Sequence, residues 1–495
     1  MKAQIFVRLC SRYLLICGIA FNLVLLVSSY YVLKQVRYSA DNLPLAIIKI
    51  ADSLQANYPS VNVISNPLES IAKYFYYPDQ YAGVTSSGNI PTVGPAYTDT
   101  TNDLIEDQES TLLISNSDQL IKALKHAKPG QTILLKNGTY TIKARSVKTS
   151  SAMATKDSPI TLSAINIGKV TINLASSEGL HILSPYWRIN GIRFNGTCQT
   201  DDWCDHAIHV VGNGSNIEIM NNQFINFNAA IKVNELKGVY PDNGKIYNNH
   251  FYSDRPRKTK KSVTPINIDH ASNWSVSNNI IQDFIKAAGN KVSYGAFFKG
   301  GSVGGVFENN LVICSSSNLK YKGSTVGLSI GGGGMSQKVR RDKSTFEAKK
   351  TTVRNNIVMF CSDVGLYVNK GAESLINNNI FYNTQGIDVR FKESSATIVN
   401  NILSGKIRNR DHATIFELGN LISQKNYWRG SEQLNEFFQN PSAIDFTFMG
   451  NNNVNNEHDI QAYPLQQSGV RDFCGNEINN DDRFIGAFKS SRNCF

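Results

Sequence analysis

An asparagine pair that recurs along the middle of the chain constrains the fold more than any other sequence feature. Each pair is followed within two residues by an apolar residue, and the seven pairs begin at Asn221, Asn248, Asn278, Asn309, Asn355, Asn378 and Asn400. Successive pairs are 27, 30, 31, 46, 23 and 22 residues apart, and the shortest steps match one coil of a β-helix. Asparagine tolerates left-handed backbone angles at sharp turns, and stacked amides hydrogen-bond from coil to coil. The repeat therefore predicts a solenoid of short strands with inserted loops.

Short segments between these pairs alternate apolar and outward-facing residues, as residues 207–210 and 386–389 illustrate. Alternation with a period of two buries one face of a strand and displays the other. A parallel sheet covered by helices would need continuous apolar runs and long intervening helices, which this region lacks. The sequence therefore predicts an all-β fold, a right-handed single-stranded parallel β-helix over residues 111–430. A short amphipathic helix at residues 117–124 is expected to cap its start.

The outward positions of these strands form two neighbouring columns that are rich in polar and charged residues. The first column contains His209, Lys232, Asn267, Ser329, Tyr367 and Asp388, and the second contains Val211, Asn234, Asp269, Gly331, Asn369 and Arg390. Lys299 is expected to join the second column. Because inert Thr and Ser would suffice on a purely structural face, this chemistry suits a groove that binds a carboxylated sugar chain. The residues expected to bind that chain are His209, Lys232, Asn267, Tyr367, Asn369 and Asp388.

A purely structural interpretation of these residues remains open. Arg390 would then pair with Asp388 or with a neighbouring coil, and His209 would hydrogen-bond within a polar stack. The glycine run at residues 331–334 lacks the Gly-Lys-Ser/Thr ending of a phosphate-binding loop. It is expected to form a flat groove floor or to allow close packing of a loop.

The net positive charge of the chain favours a negatively charged binding partner. The formal net charge of +11 and the pI near 9.1 favour an anionic partner: an acidic polysaccharide, an anionic membrane surface or nucleic acid. Nucleic acid is not expected, because the sequence has no Arg-rich helix, RNA-binding signature or zinc-finger spacing. Two basic clusters, at residues 255–261 and 338–341, fall in the long inserts. They are either solvated loops or flanks of the groove that attract a polyanion.

The N-terminal region predicts export and attachment to a membrane. Within residues 1–40, three cationic residues precede an apolar run over residues 13–32, long enough for a membrane-spanning helix. The β-helix is then expected on the periplasmic side of a bacterial inner membrane. A cleaved signal peptide is the alternative, and the protein would then be secreted. Residues 41–110 are expected to form a juxtamembrane stalk and linker, and residues 431–495 a terminal segment folded back on the helix over its open end.

The eight cysteines indicate an oxidising compartment, since six of them lie in the exported part. Two disulfides are expected, Cys198–Cys204 and Cys474–Cys494. Cys314 and Cys361 end similar apolar strands and are either a third disulfide or stacked buried thiols. A zinc site is not expected, because no Cys-x-x-Cys or His-x-x-x-His pair accompanies the cysteines.

Two stretches resemble the chondroitinase B and alginate lyase family of polysaccharide lyases. Residues 134–140 (Leu-Leu-Lys-Asn-Gly-Thr-Tyr) are similar to the family's opening strand, and residues 368–390 resemble its paired strands that hold a catalytic Lys and Arg. The resemblance covers roughly residues 112–425. A group of related bacterial right-handed β-helix proteins is more closely similar, at residues 205–212, 293–297, 331–334 and 386–391.

The resemblance implies β-elimination on uronate polymers. In that reaction a base removes the C5 proton, a cation neutralises the neighbouring carboxylate, and an acid helps the bridging O4 to leave. Arg390 matches the family's arginine. The family's lysine position falls on Asn369, so the catalytic lysine would be Lys370, one residue later, or Lys299 from a neighbouring coil. A lysine base needs a lowered pKa, whereas arginine keeps its proton and suits carboxylate binding.

The family's use of calcium implies a cofactor held by acidic side chains on adjacent coils, with Asp269 and Asp388 as the nearest candidates. The leading interpretation is therefore an anchored polysaccharide lyase that acts on an acidic glycan. A non-catalytic glycan-binding or envelope-structural β-helix is the alternative, and a C5-epimerase or glycoside hydrolase of the same fold is a further one.

Overall fold

The computed structural model describes residues 110–316, 323–332, 334–423, 433–449, 462–464, 470–490 and 494. Three parallel sheets of 12, 11 and 10 strands run side by side through this part of the chain, and most coils contribute one strand to each sheet. The predicted parallel β-helix is thereby confirmed. The capping helix spans Ser117–His126, and the side chain of Asn116 accepts a hydrogen bond from the Gln119 amide at its N-terminus.

The strands of the three sheets follow one another around each coil in the order sheet 1, sheet 2, sheet 3. Sheet 1 contains Thr111–Ile114, Thr132–Leu135, Ile160–Ala164, Trp187–Asn190, Glu218–Met220, Lys245–Tyr247, Ser275–Ser277, Val306–Glu308, Thr352–Arg354, Ser374–Asn377, Ser395–Val399 and Thr414–Leu418. Sheet 2 contains Gly138–Ile142, Val170–Leu174, Ile192–Gly196, Gln223–Ile225, His250–Tyr252, Ile280–Gln282, Leu311–Ile313, Ile357–Met359, Ile380–Tyr382, Ile402–Ser404 and Leu421–Ser423. Sheet 3 contains Val147–Lys148, Leu180–Ile182, Ile208–Val211, Ile231–Asn234, Ile266–Asp269, Val292–Lys299, Ser324–Ile330, Leu366–Asn369, Gly386–Arg390 and Lys406–Arg410.

The asparagine pairs form the turns between sheets 1 and 2. The first asparagine of every pair has a positive φ, between 54° and 59°. The second asparagine donates from Nδ2 to Oδ1 of its equivalent on the next coil, at 2.9–3.1 Å, from Asn222 through to Asn420. These amides are buried, and most also bond to backbone carbonyls, so the turn satisfies its polar groups inside the protein. The predicted ladder is confirmed.

Apolar side chains fill the interior of the coils. Buried Ile, Val, Leu and Phe residues form one continuous core from Ile114 to Ala413. Stacked aromatic rings mark the alignment of the coils: Phe194, Phe224 and Phe251 lie 5.2 and 4.8 Å apart. Within the described residues, no helix has the length and apolar character needed to cross a bilayer, and the segment at 13–32 lies outside them.

The described part of the C-terminal segment packs against the side of the β-helix, on the outer face of sheet 2. Its apolar residues are Leu434, Phe438, Ile444, Phe446, Phe473, Ile485, Ala487 and Phe488. They contact the outward residues Leu311, Ile313, Ile357, Met359, Ile380, Tyr382 and Ile402. Apolar residues occupy this outer face because the segment covers them.

The described part of the chain contains three disulfides. The predicted pairs Cys198–Cys204 and Cys474–Cys494 are confirmed. Cys314 and Cys361 are also joined, so their interpretation as free stacked thiols is wrong. They follow the paired strands Leu311–Ile313 and Ile357–Met359, and the pairing brings their Cα atoms to 4.8 Å.

Candidate functional site

Sheet 3 presents the two predicted columns of outward residues. The first column runs, coil by coil, through Lys148, His181, His209, Lys232, Asn267, Phe297, Ser329, Tyr367, Asp388 and Arg408. In the second column, strand pairing places Asp269 beside Lys299 and Asn369 beside Arg390. The columns are thus confirmed and extended. Phe297 was not predicted in the first column, but strand pairing places it there, between Asn267 and Ser329. It belongs to the eight-residue strand Val292–Lys299.

The basic cluster at residues 255–261 borders one edge of this groove. It folds against the disulfide-closed loop at residues 198–204, and the Arg257 guanidinium lies 2.9 Å from the Asp201 carboxylate with its side chain 1% exposed. Burial lowers the pKa of Arg257 to about 10, and Asp201 counteracts that effect, so the arginine stays charged at neutral pH. A buried charge requires such a partner. Arg257 is therefore structural and not part of a solvated loop.

The second basic cluster lies along the opposite edge of sheet 3. Arg341 donates to both carboxylate oxygens of Asp242, at 2.8 and 3.0 Å, and its guanidinium carbon lies 4.2 Å from the Tyr240 ring centroid. The His270 ring donates from Nε2 to the Val339 carbonyl oxygen at 2.8 Å. This insert therefore flanks the groove, and a carboxylate binds Arg341.

In the middle of the groove, one carboxylate joins two lysines from different coils. Lys232 Nζ donates to Asn267 Oδ1 and Asp269 Oδ2, both at 2.8 Å, and Lys299 Nζ lies 3.3 Å from the same Asp269 oxygen. Burial lowers the pKa of Lys232, and Asp269 opposes that effect. A Cβ at Gly332 would lie 2.5 Å from Lys299 Cδ, so the glycine leaves room for this lysine. Two ammonium groups on one carboxylate leave an excess of positive charge at this point of the groove.

Near the C-terminal end of the groove, two cations meet at one aromatic ring. The Arg390 guanidinium carbon lies 4.6 Å and Lys370 Nζ lies 5.4 Å from the centroid of the Phe391 ring. Lys370 follows the strand Leu366–Asn369 with a φ of 57°, in the left-handed region. This turn brings the lysine to the ring that Arg390 contacts, although Asn369, and not Lys370, pairs with the arginine in the sheet.

Neighbouring polar side chains hold Arg390 and Asp388 in place. Arg390 bonds to Asp411 and to the Tyr367 hydroxyl. Burial lowers the pKa of Arg390, but these two hydrogen bonds outweigh it and raise the pKa, so the guanidinium stays charged. Burial raises the pKa of Tyr367, so the phenol keeps its proton at neutral pH. Arg410 binds both oxygens of Asp388, at 2.9 and 2.6 Å.

The structure brings together only one of the two predicted lysine–arginine combinations. Lys370 and Arg390 share the Phe391 ring, whereas the strand of Lys299 lies three coils from that of Arg390, about 14 Å at the usual strand spacing. The strands of Asp269 and Asp388 lie four coils apart, about 19 Å. Calcium ligands lie about 2.3–2.6 Å from the ion, so Asp269 and Asp388 cannot both bind one calcium ion. Calcium binding itself stays a prediction.

A separate cluster lies toward the N-terminal end of sheet 3. Glu178, His181 and His209 each offer one ligand atom, and the three atoms lie within 4.8 Å of one another. The two imidazole rings stack with centroids 5.0 Å apart. Burial lowers the pKa of His181, and it lowers that of His209 to about 3. A cavity of about 600 Å³ adjoins the cluster and is lined by Glu178, His209 and the exposed Trp203, among others.

Comparison with known proteins identifies the family. The sequence profile of the family described as chondroitinase B matches residues 114–444, about two thirds of the chain. The chain belongs to the chondroitinase B family. The resemblance carried by residues 134–140 and 368–390 is thereby confirmed. No curated protein sequence matches the chain.

Several solved structures are similar to this member of the chondroitinase B family. The PL6 family polysaccharide lyase Pedsa3628 from Pseudopedobacter saltans has 16% identity and a TM-score of 0.33, over 68% of this chain and 96% of its own. The pectate lyase Pel9A has 14% identity and a TM-score of 0.45, over 73% and 90%. An alginate lyase from Paenibacillus sp. str. FPU-7 has 18% identity and a TM-score of 0.35, over 63% and 95%.

Within the region matched by the chondroitinase B family, Glu178 and His181 are not among the site residues that the sequence predicted. Their coil precedes the first asparagine pair, so the repeat did not mark it. A signal was nevertheless present, because Leu180-His181-Ile182 alternates in the same way as Ile208-His209-Val210, and the two strands pair residue for residue. Aligning these segments would have placed both histidines in one column.

Proposed function

We propose that this protein is a polysaccharide lyase that cleaves an acidic, uronate-containing polysaccharide by β-elimination in the groove of sheet 3. The proposal rests chiefly on the contact of both Lys370 and Arg390, from adjacent coils, with the Phe391 ring. The chondroitinase B family implies a catalytic Lys and Arg at this place. Tyr367 joins them through its hydrogen bond with Arg390.

The charges of the cluster suit a uronate carboxylate. The C5 proton is weakly acidic until the adjacent carboxylate is neutralised. Arg390 keeps its charge and presents a planar guanidinium, which matches a carboxylate in shape and hydrogen-bonding pattern. The excess positive charge at Lys232, Asp269 and Lys299, farther along the groove, would hold the carboxylates of neighbouring sugars. A groove charged in this way attracts a polyanion along its length.

The proton transfers can be assigned to named atoms. The unprotonated Lys370 amine would take the C5 proton, and the electrons of that C–H bond would form the C4=C5 double bond as the C4–O4 bond breaks. The Tyr367 phenol, which burial keeps protonated, would give its proton to the departing O4. The products are a chain with an unsaturated uronate at its new non-reducing end and a second chain with a new reducing end.

The experiment uses the full-length chain, purified in detergent and supplied with alginate, chondroitin or pectin. Absorbance of the C4=C5 double bond should rise with at least one of these polymers. Lys370→Gln and Arg390→Gln should each lower the rate at least about 100-fold. Lys392→Gln is the matched control, because Lys392 is an exposed lysine that directly follows Phe391 in the chain. A well-folded protein that yields no unsaturated product from any acidic glycan would refute the proposal.

A non-catalytic glycan-binding protein is the second candidate, and the strand register favours it. The residue opposite Arg390 is Asn369, where the family resemblance calls for lysine. In that case Arg390→Gln would weaken retention of the protein on a polysaccharide gel, with no reaction to lose. A C5-epimerase would instead exchange the C5 proton with deuterated solvent and leave the polymer uncut.

We also propose that residues 1–40 anchor the protein in a bacterial inner membrane, with the β-helix on the periplasmic side. Three disulfides in the described chain suit an oxidising compartment. The test is the mass of the N-terminal peptide from membranes washed at alkaline pH. An intact N-terminus in the membrane pellet would support the anchor, and a soluble chain lacking residues 1–29 would refute it.

A further inference from the structure

We propose that Glu178, His181 and His209 form a binding site for a divalent transition-metal ion of the zinc class. The strand of His209 lies six coils from that of Arg390, about 29 Å along sheet 3. The site is thus separate from the Lys370 and Arg390 cluster, and its existence does not depend on lyase activity.

The three side chains converge because adjacent coils stack in register. His181 pairs with His209 across neighbouring strands, and their rings are 13° from parallel. Glu178 Oε2 lies 3.5 Å from His181 Nδ1 and 3.9 Å from His209 Nδ1. Ligands around a tetrahedral zinc ion stand roughly 3.3 Å apart, given metal–ligand bonds of about 2.0–2.1 Å. Small side-chain rotations would therefore bring all three donors to one ion.

A hydrogen bond on the far side of the ring orients His209 as a ligand. His209 Nε2 lies 2.7 Å from Asn234 Oδ1, and Asn234 Nδ2 donates to the Glu235 carbonyl oxygen at 2.8 Å. An amide oxygen only accepts, so Nε2 carries the hydrogen and Nδ1 of the neutral ring has a lone pair. This arrangement is typical of metal-binding histidines, whose second nitrogen donates to a fixed acceptor.

The histidine nitrogens near Glu178 form no hydrogen bonds with the described residues. His209 Nδ1 and both His181 ring nitrogens are buried and have no hydrogen-bond partner among the described residues. Buried polar atoms are nearly always paired. In addition, the His209 lone pair faces a carboxylate oxygen, and two such acceptors repel each other unless a cation lies between them. A metal ion would satisfy the nitrogens and the carboxylate together.

The chemistry of the donors selects the class of ion. Two imidazole nitrogens and one carboxylate oxygen suit zinc, cobalt or nickel, whereas calcium prefers oxygen ligands alone. Glu178 and His209 also line the cavity of about 600 Å³, together with the cationic Arg145 and Lys261. Three protein ligands beside an open cavity are the pattern of zinc sites that bind a water molecule or a substrate at the fourth position.

Metal binding to the full-length chain, free of any polyhistidine tag and stripped of metal, tests the proposal. Zinc is titrated against a chromophoric chelator, and cobalt binding is followed by its visible absorption bands. One equivalent per chain is expected. His209→Ala and Glu178→Gln should each weaken zinc affinity at least about 100-fold, and Asn234→Ala about 10- to 100-fold, because it removes the acceptor that orients His209.

His206→Gln is the matched control, because His206 lines the same cavity but engages the Ala229 carbonyl oxygen through Nδ1. It should bind zinc as the unsubstituted chain does. Equal zinc binding by the unsubstituted chain and by the double variant His181→Ala/His209→Ala would overturn the proposal, as would a loss in His206→Gln that matches the loss in His209→Ala. Circular dichroism of each variant identifies misfolding, and Glu178→Gln decides if a histidine variant does not fold.

Discussion

Asn369 pairs with Arg390 across adjacent strands of sheet 3, so the residue opposite the arginine is an amide and not a lysine. The next residue, Lys370, turns through the left-handed region and still brings its ammonium group to the ring that Arg390 contacts. The lysine therefore approaches the arginine from the turn and not from the strand. A base in this position would be held less rigidly than one on the strand itself.

This arrangement predicts the outcome of exchanging the two residues. Lys370→Asn alone should lower kcat/KM about 100-fold or more, because it removes the proposed base. The double variant Asn369→Lys/Lys370→Asn should recover activity to within about tenfold, since asparagine tolerates the positive φ of position 370 and lysine gains the strand position. Rates of unsaturated-product formation test this prediction. Full activity in Lys370→Asn would exclude Lys370 as the base.

The asparagine ladder predicts a large stability effect at a central position. Asn356 is fully buried, donates to Asn379 Oδ1 and to the Phe307 and Arg354 carbonyl oxygens, and accepts from Asn310. Asn356→Ala leaves these partners unsatisfied and should lower the free energy of unfolding by about 2–4 kcal/mol.

Urea unfolding followed by circular dichroism measures the effect of Asn356→Ala. Asn213→Ala is the control, because Asn213 is an exposed asparagine outside the ladder, and its effect should stay below about 0.5 kcal/mol. Equal effects at the two positions would show that the ladder does not contribute specifically to stability.

The disulfide between Cys314 and Cys361 should stabilise the protein more than the one between Cys198 and Cys204. It closes a segment of 47 residues, against 6 for the other. The loss of chain entropy in the unfolded state gives about 4 kcal/mol for the longer segment and about 2 kcal/mol for the shorter one. Serine variants of each pair, compared by their urea midpoints, test the order. A larger loss from the Cys198 and Cys204 variant would contradict it.

A half-buried histidine on sheet 2 predicts that stability falls in weak acid. Burial lowers the pKa of His250 to about 4, although the neighbouring Gln282 side chain opposes it. The unfolded chain, with a histidine pKa near 6.5, binds this proton earlier as the pH falls. The contribution is therefore present above about pH 6.5 and is lost progressively between about 6.5 and 4, to a total of about 3 kcal/mol. Unfolding free energies of His250→Gln should lack this part of the pH dependence, and an unchanged profile would refute it.

Much of the fold could be predicted because its determinants are local. Each asparagine turn and each alternating strand is encoded within a few residues, and Asn356 and Tyr367 lie where their own segments indicate. Strand pairing then followed from aligning the segments. The sequence did not decide whether Cys314 and Cys361 form a disulfide, because two thiols at the ends of adjacent strands can lie close together with or without a bond.

The candidate site was harder to predict, because distance along the groove depends on the number of intervening coils. Asp269 and Asp388 occupy neighbouring columns and look equivalent in sequence, yet four coils separate them. Inserted loops hide this count, as the 46-residue step shows. The contact of Lys370 with Phe391 depends on a left-handed turn, which strand alternation does not describe.

The side-chain ladder makes each coil an interchangeable unit. Every inner asparagine presents the same donor to the coil that follows and the same acceptor to the coil that precedes it, from Asn249 through to Asn401. A duplicated coil would therefore insert without breaking the bonding pattern, and it would lengthen the groove by about 4.8 Å. Tandem duplication or deletion of a single coil could therefore change the length of the groove, and with it the number of sugar units that fit, while the core and the turns stay intact.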